Sequence, residues 1–139
     1  MKLLRIGNKE KEKPCALDAN GKIRDLSSVI KDLTPDNLNH STIENLKSLD
    51  LTKLPELSNS ERIGPCVSNP GKFIAIGLNY SDHAEETGAK VPSEPIVFMK
   101  ATSCINGPND DIEITSDSNT LDWEVALGIV IGKEAKNIS

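Results

Sequence analysis

Residues 123–132, WEVALGIVIG, alternate without a break: Val125, Leu127, Ile129 and Ile131 fall on one side, and Glu124, Ala126, Gly128 and Val130 on the other. A period of two belongs to a strand and not to a helix. A strand needs a hydrogen-bonding neighbour and a cover for its apolar side, so this feature commits the second half of the chain to a sheet. Two further apolar runs, "KFIAIG" and "PIVFMK", read as buried strands, and "GPNDDIEIT" as a turn leading into another strand. Between the first two, "SDHAEETG" reads as a helix of two turns stopped by Gly88.

The N-terminal part predicts a smaller structure. "KLLRIG" followed by "CALDANGKIRDL" reads as a strand and then a hairpin, with Asn20-Gly21 supplying the positive φ angles of a two-residue turn. Ser41-Thr42-Ile43-Glu44 has the pattern of a capping box, and Ile43, Leu46 and Leu49 recur behind it at helical spacing. Thr34-Pro35-Asp36 marks the start of a second, shorter helix. From Pro55 to Gly71 the sequence loosens into "PELSNSERIGPCVSNPG", which suits a boundary. The expected organisation is an α+β chain: a small β-meander and helix unit over 1–62, then a β-rich unit over 70–139.

Charge and composition exclude some partners. Sixteen Lys and Arg against 21 Asp and Glu give a net charge of −5, with no basic stripe to follow a phosphate backbone, so nucleic acid is not expected. No apolar core of a signal peptide follows Met1, and no segment approaches the ~20 apolar residues that span a bilayer. A soluble, cytoplasmic protein with no membrane partner is the expectation. Cys15, Cys66 and Cys104 are odd in number, widely spaced and in no C-x-x-C pair, which predicts free thiols in or near the core rather than disulfides or a zinc site.

Four residues stand out as candidates for chemistry. His83 and Glu86 are three apart, so on a helix they share a face, and the carboxylate can orient the imidazole and raise its basicity. The same spacing also serves a plain polar stripe on a surface helix. Glu124 stands on the less apolar face of its strand and needs a cation, a metal ion or a hydrogen-bond donor there, unless the strand end is solvated. Lys100 closes the "VFMK" run, where a lysine either reaches a ligand or points to water. Asp110-Asp111 and Glu113 lack the spacing of a calcium loop and read as a turn and a strand edge.

Taken in order, "GKFIAIGLNYSDHAEETG", "EPIVFMKATSCINGPNDDIEI" and "LDWEVALGIVIGKEAKNIS" resemble successive signature blocks of the fumarylacetoacetate hydrolase family. A weaker likeness runs back through "DANGKIRDLS" to Lys2. There the chain is similar to the small N-terminal domain of bacterial members labelled ureidoglycolate lyase, fumarylpyruvate hydrolase or 2-hydroxyhepta-2,4-diene-1,7-dioate isomerase. The resemblance implies a mixed β-roll catalytic domain, of which this chain carries the first part, usually in a homodimer. It also implies Mg²⁺ or Mn²⁺ held against a 2-oxo acid or ureidoglycolate, and hydrolase or lyase cleavage of a C–C or C–N bond. By the same resemblance, His83 and Glu86 match the pair that positions and deprotonates a water or substrate proton. Lys100 matches a lysine near the substrate, and Glu124 the first carboxylate of a metal-binding Glu-x-Glu.

Two departures qualify that picture. Ala126 stands where the family has the second glutamate, and the sequence stops at Ser139, before the family's third acidic ligand and the rest of its β-roll. Mg²⁺ demands several oxygen ligands in near-octahedral geometry, so this chain is expected not to hold the ion and not to turn substrate over. Asp122, two residues before Glu124, could share its face as a substitute ligand. The competing reading is a non-catalytic remnant or interaction module.

Overall fold

The computed structural model describes residues 1–138. By backbone contacts these divide into two compact units, one of Met1–Ser68 together with the stretch that begins at Asn106, and one of Asn69–Ile105. Each is built by local rules that can be followed separately.

The first unit is a five-stranded antiparallel sheet formed by β1 (Lys2–Ile6), β2 (Lys13–Leu17), β3 (Ile23–Asp25), β4 (Glu56–Leu57) and β5 (Ile63–Gly64). The strands lie in the order β4-β3-β2-β1-β5. The register pairs Leu3 with Ala16 and Leu4 with Cys15, and Leu17 with Ile23. Alternation then sorts the side chains onto two faces. Ala16 packs with Leu26, Ile30, Leu33 and with Leu46 of helix α1 (His40–Lys47), joined by Leu3, Leu38, Leu49, Leu51 and Leu54. On the other face Ile6, Cys15 and Ile23 form a second cluster with Leu4, Leu17, Leu57 and Ile63.

The β2–β3 hairpin forms where the sequence predicts it, but its turn is different. Asp18 and Lys22 close it through the Asp18 N–H to the Lys22 carbonyl (3.0 Å), and the Gly21 N–H reaches the Asp18 carbonyl (3.1 Å), leaving a three-residue loop. Of Asn20 and Gly21 only Gly21 takes a positive φ, +75°. The Asp18 carboxylate fixes the loop by accepting from the Asn20 and Lys22 N–H groups and from Arg24 Nε at 2.8–3.0 Å. It has no need of two left-handed residues.

Helix α1 also forms, yet its cap is Asn39, whose side chain accepts from the Thr42 N–H at 3.0 Å. The Ser41 capping box is not used, and Glu44 pairs instead with Lys47 at 2.8 Å. Thr34-Pro35-Asp36 opens one hydrogen-bonded turn, with the Leu38 N–H on the Thr34 carbonyl at 2.9 Å, and not a helix. Leu33 and Leu38 already join the Ala16 cluster from this stretch, so no helical stripe is required there.

The second unit holds β6 (Phe73–Gly77), α2 (Ser81–Glu86) and β7 (Ile96–Lys100), with β6 and β7 antiparallel from Phe73↔Lys100 to Gly77↔Ile96. All three elements stand where the sequence places them, and Gly88 ends the helix at φ +67°. The fold class is α+β.

Residues 123–132 correct the sequence reading: among the described residues they form no strand, and neither do residues 111–115. The turn at Gly107–Asp110 is present, with the Asp110 N–H on the Gly107 carbonyl at 3.1 Å. Alternation marks which side chains would share a face, but a strand exists only when a neighbour completes its ladder. No described residue pairs with 123–132. Trp123 and Leu127 are accordingly 80% and 81% exposed.

Candidate functional site

The path from β6 to α2 is a tight reversal. Leu78, directly after β6, sits at φ +48°, a left-handed conformation that costs a non-glycine residue about 1 kcal/mol or more. The turn lets α2 start within four residues of the strand end. Ala84 is the buried anchor of α2, while the opposite side of the helix carries His83 and Glu86. The Asp82 carboxylate accepts the His83 N–H at 3.0 Å, and the Thr87 hydroxyl donates to the His83 carbonyl at 3.0 Å, so the backbone of His83 is held at both ends.

His83 Nδ1 lies 3.8 Å from Glu86 Oε2, with the side chains 46% and 81% exposed. That separation is beyond a direct hydrogen bond. The sequence thus places the pair correctly on one helix face. Lys100 lies in the same unit as the last residue of β7, opposite Phe73, with Nζ 5.3 Å from the centre of the Phe98 ring. Lys100 is exposed as well as held over an aromatic face. Glu124 lies in the other unit, on an exposed stretch without regular structure.

Among the described residues no group of three or more His, Cys, Asp or Glu side chains is placed to hold a metal ion. Glu124 and Asp122 do not make such a group, and Ala126 contributes no oxygen.

A second constellation is one that sequence reasoning missed. Arg5 holds Asp32 through two bonds, Nε to Oδ1 at 2.8 Å and Nη2 to Oδ2 at 3.0 Å, and reaches Glu12 at 3.3 Å. Arg62 binds Glu12 at 2.7 Å, the Gly7 carbonyl at 3.1 Å, and Asp110 through both carboxylate oxygens at 2.6 and 2.7 Å. This chain of five charges ties the sheet edge to the Gly107 turn. Gly107 is required there, because a Cβ would collide with the Ile63 carbonyl oxygen. No spacing signal announces such a network.

Burial alone would raise the carboxyls of Glu12 and Asp32, but the Arg62 bond to the first and the Arg5 bond to the second hold both below their ordinary values. Arg62 likewise lowers Asp110. Groups whose folded pKa is depressed give stability that is complete above their unfolded pKa, about 4 for carboxylates, and that disappears as pH falls through the folded value. The urea midpoint of the first unit, followed by circular dichroism, is therefore expected to hold from pH 7 to about 5 and to fall steeply below about pH 4. A midpoint unchanged at pH 3 would contradict the network's role.

The three cysteines are free. Burial pushes the Cys15 thiol up to about 11, which removes it as a nucleophile. Cys66 and Cys104 are exposed and not in the core, correcting the sequence expectation for those two. No helix among the described residues is long and apolar enough to cross a membrane.

Comparison with known proteins gives these observations a context. Residues 72–139 match the domain family described as fumarylacetoacetate (FAA) hydrolase C-terminal. A Burkholderia ambifaria protein provisionally named a hydrolase is 54% identical over 138 residues, covering 99% of this chain and 49% of that protein. A Burkholderia multivorans protein of the same provisional name matches at 54% identity with the same coverage. The chain thus spans about half the length of the curated relatives it matches. The crystal structure of a provisionally assigned HpcE protein from Mycobacterium smegmatis superposes with a TM-score of 0.61 at 24% identity, over 81% of this chain and 40% of that one. That likeness establishes the α+β fold.

Proposed function

Residues 72–139 belong to the fumarylacetoacetate hydrolase family, and on that premise we propose that His83 and Glu86 are the proton-transfer pair of a hydrolase or lyase acting on 2-oxo acids or ureidoglycolate. The observation that carries the reading is the 3.8 Å approach of His83 Nδ1 to Glu86 Oε2 on one short helix inside the matched segment. When the carboxylate turns to accept from Nδ1–H, it fixes the tautomer that leaves Nε2 free to take a proton from water or substrate, and it stabilises the imidazolium that results. Lys100, over the Phe98 face, supplies a positive charge for a substrate carboxylate in the same unit.

The divalent ion is a separate matter. The described residues do not fit one, since no group of three or more His, Cys, Asp or Glu side chains is placed to hold it and Ala126 has no side-chain oxygen. We therefore assign no step to a metal in this chain. Manganese titrated into the 139-residue protein and followed by paramagnetic resonance is expected to stay free at micromolar concentration, and saturable one-to-one binding would overturn this. A non-catalytic interaction module is the second reading, and Ala126 in the place where the resemblance puts a second glutamate is the observation that favours it.

A further inference from the structure

The large apolar side chains of this protein are not all in its two cores. In β7, Val97 and Met99 point to one side and Ile96 and Phe98 to the other, yet all four are exposed, Val97 and Met99 at 62% and 60%. Phe73, Ile74 and Ile76 of β6 are exposed as well. Strands that are apolar on both faces are the kind buried on both faces, and an isolated two-stranded ribbon is marginal in water. In the other unit, Leu121, Trp123, Val125, Leu127, Ile129 and Ile131 form a second exposed apolar stretch whose alternation calls for a ladder partner. A soluble monomer rarely presents contiguous apolar surface on this scale.

We infer that both surfaces are the seat of a polypeptide equivalent to the part of the full-length relatives that this chain does not match, and that such a polypeptide assembles on them when supplied as a separate chain. The match covers 99% of this chain but 49% of the Burkholderia ambifaria protein, so that protein carries about as much chain again outside the shared part. At 54% identity over the shared part, those strands carry similar demands there. A second copy of this chain fits less well. A two-fold contact covers one patch with its own image, which leaves the second face of β6–β7 or the 121–131 stretch open. The inference rests on the family relationship and the exposed strands, and is independent of the catalytic reading.

The test is to co-express the whole 139-residue chain with the unmatched part of the Burkholderia ambifaria protein as a separate, untagged polypeptide. A one-to-one complex by light scattering is expected, with amide exchange in Phe73–Gly77, Ile96–Lys100 and 121–131 slowed at least tenfold and that in β1–β3 unchanged. Val97→Asp and Leu127→Asp should each weaken the complex at least tenfold, while Val29→Asp, at an exposed apolar position of the first unit, leaves it intact. Failure of the two chains to associate overturns the inference. So does a homo-oligomer of this chain that does not exchange for the added polypeptide, or protection confined to residues outside these segments.

Discussion

Replacing His83 by glutamine is expected to lower kcat/KM by about 10²- to 10⁴-fold, the contribution of a positioned general base. The assay uses residues 1–139 joined to the unmatched part of the Burkholderia ambifaria relative, with Ala126→Glu adding a second carboxylate two residues from Glu124. Glutamine keeps the size and hydrogen-bonding capacity of the imidazole but cannot take up a proton at neutral pH. The loss should therefore fall on kcat and leave KM nearly unchanged, because the side chain is assigned no binding of substrate. His40→Ala in the same background serves as the control: His40 is the first residue of α1, in the first unit. Equal losses for the two variants would place the chemistry elsewhere.

The second large effect concerns stability. Arg5→Met is expected to destabilise the first unit by about 3–5 kcal/mol, the range seen when one partner of a buried ion pair is removed. Arg5 is almost fully buried, and its loss leaves the Asp32 carboxylate without a cation and weakens the hold on Glu12, whose side chain is also buried. That loss is a large share of the roughly 5–15 kcal/mol that holds a domain folded. Urea unfolding followed by circular dichroism reads it directly. The double variant Arg5→Met with Asp32→Leu should recover part of the loss, since a buried pair replaced by apolar groups leaves no orphan charge. If the single variant loses less than about 1 kcal/mol, the pair is no more than a surface ion pair in strength.

These two predictions divide what was legible in the sequence from what was not. The segment from Phe73 to Lys100 is set by local rules, a strand pattern, a helix stop at Gly88 and a second strand, and the structure follows it. The spacing of His83 and Glu86 is equally local, which is why their shared helix face could be foreseen. Details with two competing local solutions went the other way. Asn39 and Ser41 are both capping residues, and the Asn39 oxygen takes the Thr42 N–H. Asn20-Gly21 suits a two-residue turn, but the Asp18 carboxylate organises a three-residue one.

What the sequence hid is non-local. Arg5, Glu12, Asp32, Arg62 and Asp110 find partners across 27 to 50 residues, where no periodicity points. In the sequence Arg62 is one charge in the loose stretch from Pro55 to Gly71, and Asp110 reads as a turn residue. Glu124 shows the converse case. Its strand pattern is plain in WEVALGIVIG, but a ladder needs a neighbour, and among the described residues none pairs with it.

The central claim is that His83 and Glu86 act as one proton-transfer unit. A double-mutant cycle on kcat in the Ala126→Glu chimera, assayed with an acylpyruvate, oxaloacetate and ureidoglycolate, tests it most directly. If the two residues form one unit, Glu86→Gln lowers kcat on the accepted substrate, and adding it to His83→Gln costs little more, because the carboxylate has no remaining imidazole to orient. If Glu86→Gln leaves kcat unchanged, or if the two losses simply multiply, the residues do not work as a pair and the proposed mechanism is wrong.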